Sequence, residues 1–164
     1  MKNTIEEAVQ ILKKELNINY LCDINSDTYK KYQYLITDET IAKRAKHVIE
    51  ENDRVKLAAK ALANNELLKF GELMYASHYS LRDLYEVSGE ELDAIVEYCE
   101  VDKDVAGARM TGAGFCGCAI ALVKANHFEK FSENVIAYYT NKIGYAPSVY
   151  NSLIGDGVGL LIAE

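Results

Sequence analysis

The change in the spacing of apolar residues after Glu100 constrains the fold of this chain more than any other feature. Up to that residue, apolar side chains recur every three or four positions, which is the period of an amphipathic helix. Beyond it, residues 106–111 and 117–124 read as strands, and the glycine-rich stretch RMTGAGFCGC joins them. The sequence therefore predicts an α+β fold, with a small antiparallel sheet packed against several helices.

Capping residues and apolar stripes predict six helices and a final strand. Thr4 with Glu7, and likewise Ser88 with Glu91, have the spacing of a capping box at a helix start. Helices are expected from Thr4 to about Leu16, Asp27 to Tyr34, Thr37 to about Ala63, Glu66 to about Asp83, Ser88 to Glu100 and Asn126 to Gly144. A last strand is expected over residues 148–154, after Pro147.

Residues at helical spacing are expected to face the core. They are Ile5, Ala8, Val9 and Leu12 in the first helix, Ile41, Ala45, Val48, Val55, Ala59 and Leu62 in the third, Leu67, Phe70, Met74, Leu81 and Leu84 in the fourth, Leu92, Ile95, Val96 and Cys99 in the fifth, and Phe128, Phe131, Val135 and Tyr138 in the sixth. The strand from Cys118 to Val123 is apolar on both faces, which predicts a central, covered strand.

Two polar residues interrupt the stripes of the third and fourth helices. Asn52 and Ser77 lie equally far from the break at Asn64-Asn65, so an antiparallel helix pair would bring them to one level. Two interpretations stay open: an interhelical hydrogen bond that fixes the register, or a ligand contact to which His78 could add.

Length, charge and cysteine content exclude several classes of protein. A chain of 164 residues suits one domain with its own core. The net charge of -7 argues against nucleic acid or an anionic membrane as a partner. Without a signal peptide or an apolar span, we expect a cytoplasmic protein whose cysteines are reduced. The spacing of Cys116 and Cys118 does not suit a zinc site, so no metal ligands are predicted.

The glycine-rich stretch is compatible with two interpretations. Glycines let a ligand approach the backbone closely, and they equally allow a tight reversal between strands. Phosphate-binding loops usually lead into a helix N-terminus, whereas this stretch leads into a strand. The residues alone therefore favour a packed hairpin over a phosphate site.

Four stretches of the chain resemble a known family when they are taken together. GARMTGAGFCGCAIALVK resembles the third signature motif of the GHMP small-molecule kinases, in the form found in galactokinases. AKRAKHVIEENDRV, FGELMYASHYSLRDLYEVSGEELD and IGYAPSVYNSLIGDGV are similar to other stretches of the same family, in the same order. The resemblance covers nearly the whole chain and implies the α+β C-terminal domain of such a kinase.

The resemblance also implies a chemistry and a set of site residues. The family transfers the γ-phosphate of Mg-ATP to the C1 hydroxyl of galactose, so ATP and Mg are the expected cofactors of the complete enzyme. Thr111, Gly112, Gly114 and Gly117 match the third motif and are the predicted cofactor-binding residues. Cys116 departs from the family glycine and would cost on the order of 1 kcal/mol if its backbone needed a positive φ.

The family's sugar-side motif, phosphate loop and sugar-orienting aspartate have no counterpart in this sequence. We therefore expect a single domain over residues 1–164 that has no catalytic residues and is inactive by itself. Its expected partner is an N-terminal kinase half, with galactose and ATP as ligands of the whole. We also expect self-association through an apolar surface near Phe115.

Two alternatives to this assignment remain open. One is a stand-alone binding module that keeps the fold without the chemistry. The other is the C-terminal half of a related sugar kinase, such as an N-acetylgalactosamine kinase.

Overall fold

Over residues 2–114, 117–152 and 155, which the computed structural model describes, the chain forms six helices and two strands. The elements are α1 (Lys2–Leu12), α2 (Ser26–Tyr32), α3 (Glu39–Ala63), α4 (Leu67–Ser80), α5 (Glu90–Val101), β1 (Val105–Thr111), β2 (Cys118–Val123) and α6 (Phe128–Ile143). No helix within these ranges combines the length and the apolarity that a bilayer span requires. The predicted order, helices first and a small antiparallel sheet later, is confirmed.

The first helix packs against the N-terminal half of α3. Ala8 and Leu12 are fully buried in one cluster with Ala45 and Ile49, as the stripe predicted. The helix begins at Lys2 rather than at Thr4 and ends at Leu12 rather than at Leu16. Thr4 therefore lies inside the first turn, and the predicted capping box there was wrong.

Three other predicted caps each differ from the observed one by a single residue. Asp38 caps α3 in place of Thr37, because its extended backbone lets the carboxylate accept from the amide of Ile41 at 2.9 Å. A carboxylate also suits the positive end of the helix dipole. Gly89 precedes α5, while Ser88 donates its hydroxyl to Asp93 instead of capping the helix.

The start of α6 also differs from the prediction. Asn126 lies in a turn of 3-10 helix, Ala125–His127, that leads into the helix. Phe131 and Val135 are buried as expected, but Tyr139 takes the third core position in place of Tyr138, which is exposed.

The long helices α3 and α4 form an antiparallel pair whose two halves differ. Ala45 is buried, but Val55, Ala59 and Leu62 are exposed, so the inward stripe predicted for the second half of α3 was wrong. Leu67 of α4 is also exposed. The turn end of the pair therefore projects from the core, and the packed end contains the polar contacts described below.

The two strands pair in antiparallel register, from Thr111 opposite Cys118 to Val105 opposite Val123, with an irregularity between Val105 and Gly107. Both strands lie within one residue of their predicted bounds. Cys118 and Ile120 are exposed, so the prediction of a strand covered on both faces was wrong. Helices α4 and α5 pack against β1, and α5 also packs against β2.

The strand predicted over residues 148–154 is not found in residues 148–152, the part of it that the structure describes. Residues 148–152 have no strand structure, and Leu153 and Ile154 lie outside the described residues.

Two glycines bring the backbone of α4 against the backbone of β1. A Cβ at Gly71 would lie 1.7 Å from the carbonyl oxygen of Ala106, and a Cβ at Gly107 would lie 2.4 Å from the Cα of Gly71. Because no side chain fits between the two elements, these positions require glycine. This contact fixes the position of α4 relative to β1, and with it the position of the last turns of α4 beside the end of β1.

We expect Gly71→Ala to lower the free energy of unfolding by about 3 kcal/mol or more, because the new methyl group would displace the strand backbone. The loss would exceed the gain of about 1 kcal/mol in helix propensity. Urea denaturation measures the change.

Gly89→Ala is the matched control, because a Cβ there meets only the flexible side chain of Glu91 at 3.3 Å. Its effect should stay within about 1 kcal/mol. Equal losses for the two variants would contradict the close-packing account.

Candidate functional site

The glycine turn, residues 111–117, joins β1 to β2. Thr111 is the last residue of β1, and Gly112 and Gly114 both have φ of +81°. Gly112 is exposed and a Cβ there would meet nothing within 4 Å, whereas Gly114 is buried and a Cβ there would lie 2.0 Å from the carbonyl oxygen of Val87. Gly117 is exposed.

The four predicted cofactor-binding residues therefore lie together but differ in their surroundings. Gly112 offers an open backbone surface, and Gly114 anchors the turn to the segment before α5. Two residues of the turn lie outside the described residues. They are Phe115, near which we expect the association surface, and Cys116, which departs from the family glycine.

A buried histidine holds the strand that leads into the turn. His78, near the end of α4, is fully buried, and its Nδ1 accepts a hydrogen bond from the backbone amide of Met110 at 3.3 Å. An acceptor at Nδ1 places the proton of a neutral ring on Nε2. Burial lowers the pKa of His78, although the nearby Asp93 carboxylate acts in the opposite direction. The neutral ring is therefore the form that fits this position.

Asp93 connects the histidine to the segment that contacts the turn from the other side. Its Oδ1 lies 3.1 Å from Nε2 of His78, in a geometry that leaves Nε2 without an aligned hydrogen bond. The same oxygen accepts the hydroxyl of Ser88 at 2.6 Å. Ser88 follows Val87, whose carbonyl oxygen abuts Gly114. Met110 is thus bonded to a member of this polar cluster, and Gly114 lies against the backbone of the residue before Ser88.

A second row of polar contacts joins α3 to α4. Ser77 donates its hydroxyl to Glu51 Oε1 at 2.6 Å, and Nδ1 of His47 lies 2.8 Å from the hydroxyl of Ser80. The order of these contacts along the two helices shows that they are antiparallel. The expected interhelical hydrogen bond is present, but its partner is Glu51 rather than the predicted Asn52.

The packed end of this row is closed by Arg44, which is almost fully buried. Its guanidinium donates to the carbonyl oxygen of Leu84 and to Glu86 at 2.6 Å. The ring of Tyr85 stacks on His47 with centroids 4.5 Å apart. Each charged or polar group named in this row has a partner within the protein, so the row is a packing device.

One group of potential metal ligands lies elsewhere. Ligand atoms of Asp102, Asp104 and His127 come within 4.8 Å of one another. The two ring nitrogens of His127 face different carboxylates, at 3.2 Å from Asp102 and 3.5 Å from Asp104. Lys124 also contacts Asp104 at 2.6 Å. Imidazole and ammonium groups already face these carboxylates, which makes the group an ion-pair network at the start of β1.

The residues that connect the helices to the turn were only partly foreseen from the sequence. His78 was considered only as a possible neighbour of a ligand, and Gly71 was not singled out. A signal for Gly71 does exist, because a glycine inside a helix costs about 1 kcal/mol and so marks a position where packing demands it. For His78, no periodicity shows that its partner is a backbone amide 32 residues away.

The described part of the chain thus has a glycine turn between two antiparallel strands, against which α4 and α5 pack. Residues 58–141, half of the chain, match the family model described as GHMP kinases C terminal. The chain belongs to the GHMP kinase family and corresponds to its C-terminal region.

The relatives within that family narrow the comparison. The chain is 50% identical over 160 residues to galactokinase from Staphylococcus saprophyticus. The aligned residues are 98% of this chain and 42% of the relative. Galactokinase from Enterococcus faecalis is 49% identical over 152 residues, which covers 93% of this chain and 39% of the relative. The chain therefore spans about two fifths of the length of these relatives.

A solved structure agrees with the sequence relatives. The fold is similar to a crystal structure of Lactococcus lactis galactokinase complexed with galactose, with a TM-score of 0.85 and 44% sequence identity. The match covers 88% of this chain and 37% of the solved one. The resemblance to the galactokinase form of the family is thereby confirmed.

The two positive-φ glycines of the turn should respond differently to substitution. Gly112→Ala introduces only the strain of a left-handed backbone, about 1 kcal/mol. Gly114→Ala adds an overlap with the carbonyl oxygen of Val87, so we expect a loss at least about 2 kcal/mol larger. Urea unfolding of the two variants measures the difference. Equal losses would show that Gly114 does not anchor the turn.

Acid should weaken the ion-pair network at the start of β1. Burial acts to raise the pKa of Asp102, but hydrogen bonds from the Asp104 amide and from His127 outweigh it and hold the pKa below 3.8. A lowered pKa gives stability that is present above the unfolded value of 3.8 and is lost as the pH falls through the folded value. We expect Asp102→Asn to flatten the fall in unfolding free energy below about pH 4.

Asp27→Asn is the control for this acid-induced change. The Asp27 side chain is 86% exposed, and its contact with Lys30 is long, at 3.8 Å. Its pH profile should match that of the unmodified chain. An unchanged profile for Asp102→Asn would contradict the assignment.

Proposed function

We propose that this chain is the C-terminal part of a galactokinase, which transfers the γ-phosphate of Mg-ATP to the C1 hydroxyl of galactose. The structural observation that supports this most strongly is the open backbone of Gly112, in a turn whose sequence resembles the third motif of that family. The galactokinase relatives, and the galactose bound in the Lactococcus lactis protein, support the choice of sugar.

The glycine turn fits the phosphate side of a nucleotide. With φ of +81° and nothing within 4 Å of an added Cβ, Gly112 leaves its backbone open to an approaching phosphate oxygen. In phosphoryl transfer the protein mainly positions the groups and stabilises charge, so a rigid turn at the phosphates contributes to the reaction. Thr111, Gly112, Gly114 and Gly117 form this contact in our proposal.

The described residues do not fit a magnesium site at this turn. Asp102 and Asp104 lie at the opposite end of β1, and a strand of seven residues is roughly 20 Å long. Their carboxylates also face His127 and Lys124. Magnesium, the sugar-orienting carboxylate and the main phosphate loop are therefore assigned to the remaining part of the enzyme.

A chimera tests this proposal. This chain replaces the matching C-terminal part of the Enterococcus faecalis relative, and ADP formation is measured with and without galactose. We expect galactose-dependent turnover by the chimera and none by the isolated chain, which contains too few of the groups that must converge. Turnover by the isolated chain, or a folded chimera without turnover, would contradict the proposal.

The variant Gly112→Val in the same chimera tests the role of the turn. A branched side chain would block the open backbone surface, and we expect kcat to fall about 10-fold to 100-fold. Val55→Ala is the control, since this residue of α3 is 63% exposed.

A further inference from the structure

We infer that His78 is a positioning residue for the glycine turn, acting through its hydrogen bond to the Met110 amide. This inference deepens the proposed function and rests on it, because the turn is the part of the site that this chain supplies. His78 itself touches neither substrate nor nucleotide in this account.

The position of α4 on β1 places His78 where its ring can accept a hydrogen bond from the Met110 amide. Close contact between Gly71 and Gly107 holds α4 on β1, so His78, about two turns after Gly71 on the same face of α4, reaches the amide of Met110. Met110 is buried as well, with 1% of the residue exposed. A buried amide without a partner costs about 1–3 kcal/mol. The end of β1 is therefore held in the position at which the Met110 amide can donate to Nδ1 of His78.

The nearby Asp93 carboxylate favours Nδ1 of His78 as the accepting nitrogen. Its carboxylate oxygen lies beside Nε2 at 3.1 Å, and a carboxylate favours the proton on the nitrogen that faces it. Nδ1 is then left free of a proton and available to the amide. The other charged groups near the ring are Arg82 and Arg109, which oppose protonation.

The same cluster holds the far side of the turn. Ser88 donates to Asp93 at 2.6 Å, and the carbonyl oxygen of Val87 contacts Gly114. The side chain of His78 thus contacts Met110, two residues before Gly112, and the backbone of Val87, next to Ser88, contacts Gly114, two residues after it. These two contacts restrain the backbone on both sides of Gly112.

Two substitutions of His78 separate positioning from simple core packing. His78→Asn places an amide oxygen close to the position of Nδ1 and keeps the acceptor for Met110. His78→Gln places its amide close to the position of Nε2 and loses that acceptor. Both remove the ring, and His78→Asn leaves the larger void because Asn is one methylene shorter than Gln, so packing alone would make His78→Asn the more damaging variant.

Hydrogen exchange of the Met110 amide, measured by NMR on the isolated chain, is the first readout. We expect exchange close to that of the unmodified chain in His78→Asn, and about 10-fold faster exchange in His78→Gln. The amide resonances of Gly112 and Gly114 should shift in the second variant only.

Kinetics of the chimera are the second readout. We expect His78→Gln to lower kcat about 10-fold with an unchanged KM for galactose, and His78→Asn to stay within about 3-fold of the unmodified chimera. A split in kcat between two variants of equal unfolding free energy would not arise from a purely structural role.

The outcomes distinguish the two proposals. Equal effects of both variants on exchange and kcat would overturn the positioning role, as would a split in exchange with no split in kcat. An unmodified chimera that folds but has no galactose-dependent turnover would overturn the proposed function. The exchange measurement on the isolated chain would then still decide whether His78 holds the turn.

Discussion

The contact between Gly71 of α4 and Gly107 of β1 determines how the rest of the domain is arranged. With no side chain between them, helix and strand backbones lie within van der Waals distance, and a Cβ on either would overlap the other. A helix seated so closely has its angle and its register on the strand fixed together. The later residues of α4, among them Ser77 and His78, therefore reach defined partners on α3 and β1.

Helix α4 uses its buried polar residues to hold two neighbours at once. Ser77 and Ser80 face α3, where they meet Glu51 and His47, and His78 faces the end of β1. Buried polar groups are costly unless they are paired, and each of these pairs is satisfied in only one register of the elements. The polar row adds specificity to a core whose apolar contacts alone would tolerate small shifts.

The glycine turn benefits from this rigidity. In our proposal its functional surface is the backbone of Gly112, and a backbone can be positioned only through what precedes and follows it. Met110 is held by a histidine and Gly114 by a carbonyl oxygen, so positioning comes from residues that are distant in sequence from the turn. This distribution is consistent with phosphoryl transfer, in which placement of the reacting groups supplies much of the rate.

The sequence by itself determined the order of the elements, the hairpin and the family. Periodicity gave both strands to within one residue and gave the buried faces of α1 and α5, because apolar spacing directly records which side of an element is covered. It failed for the second half of α3 and for β2, where apolar residues lie on the surface. Only the tertiary structure decided that Glu51 rather than Asn52 meets Ser77, and that His78 bonds to Met110. Such pairs depend on the register of packed elements, which close backbone contact sets and local sequence does not encode.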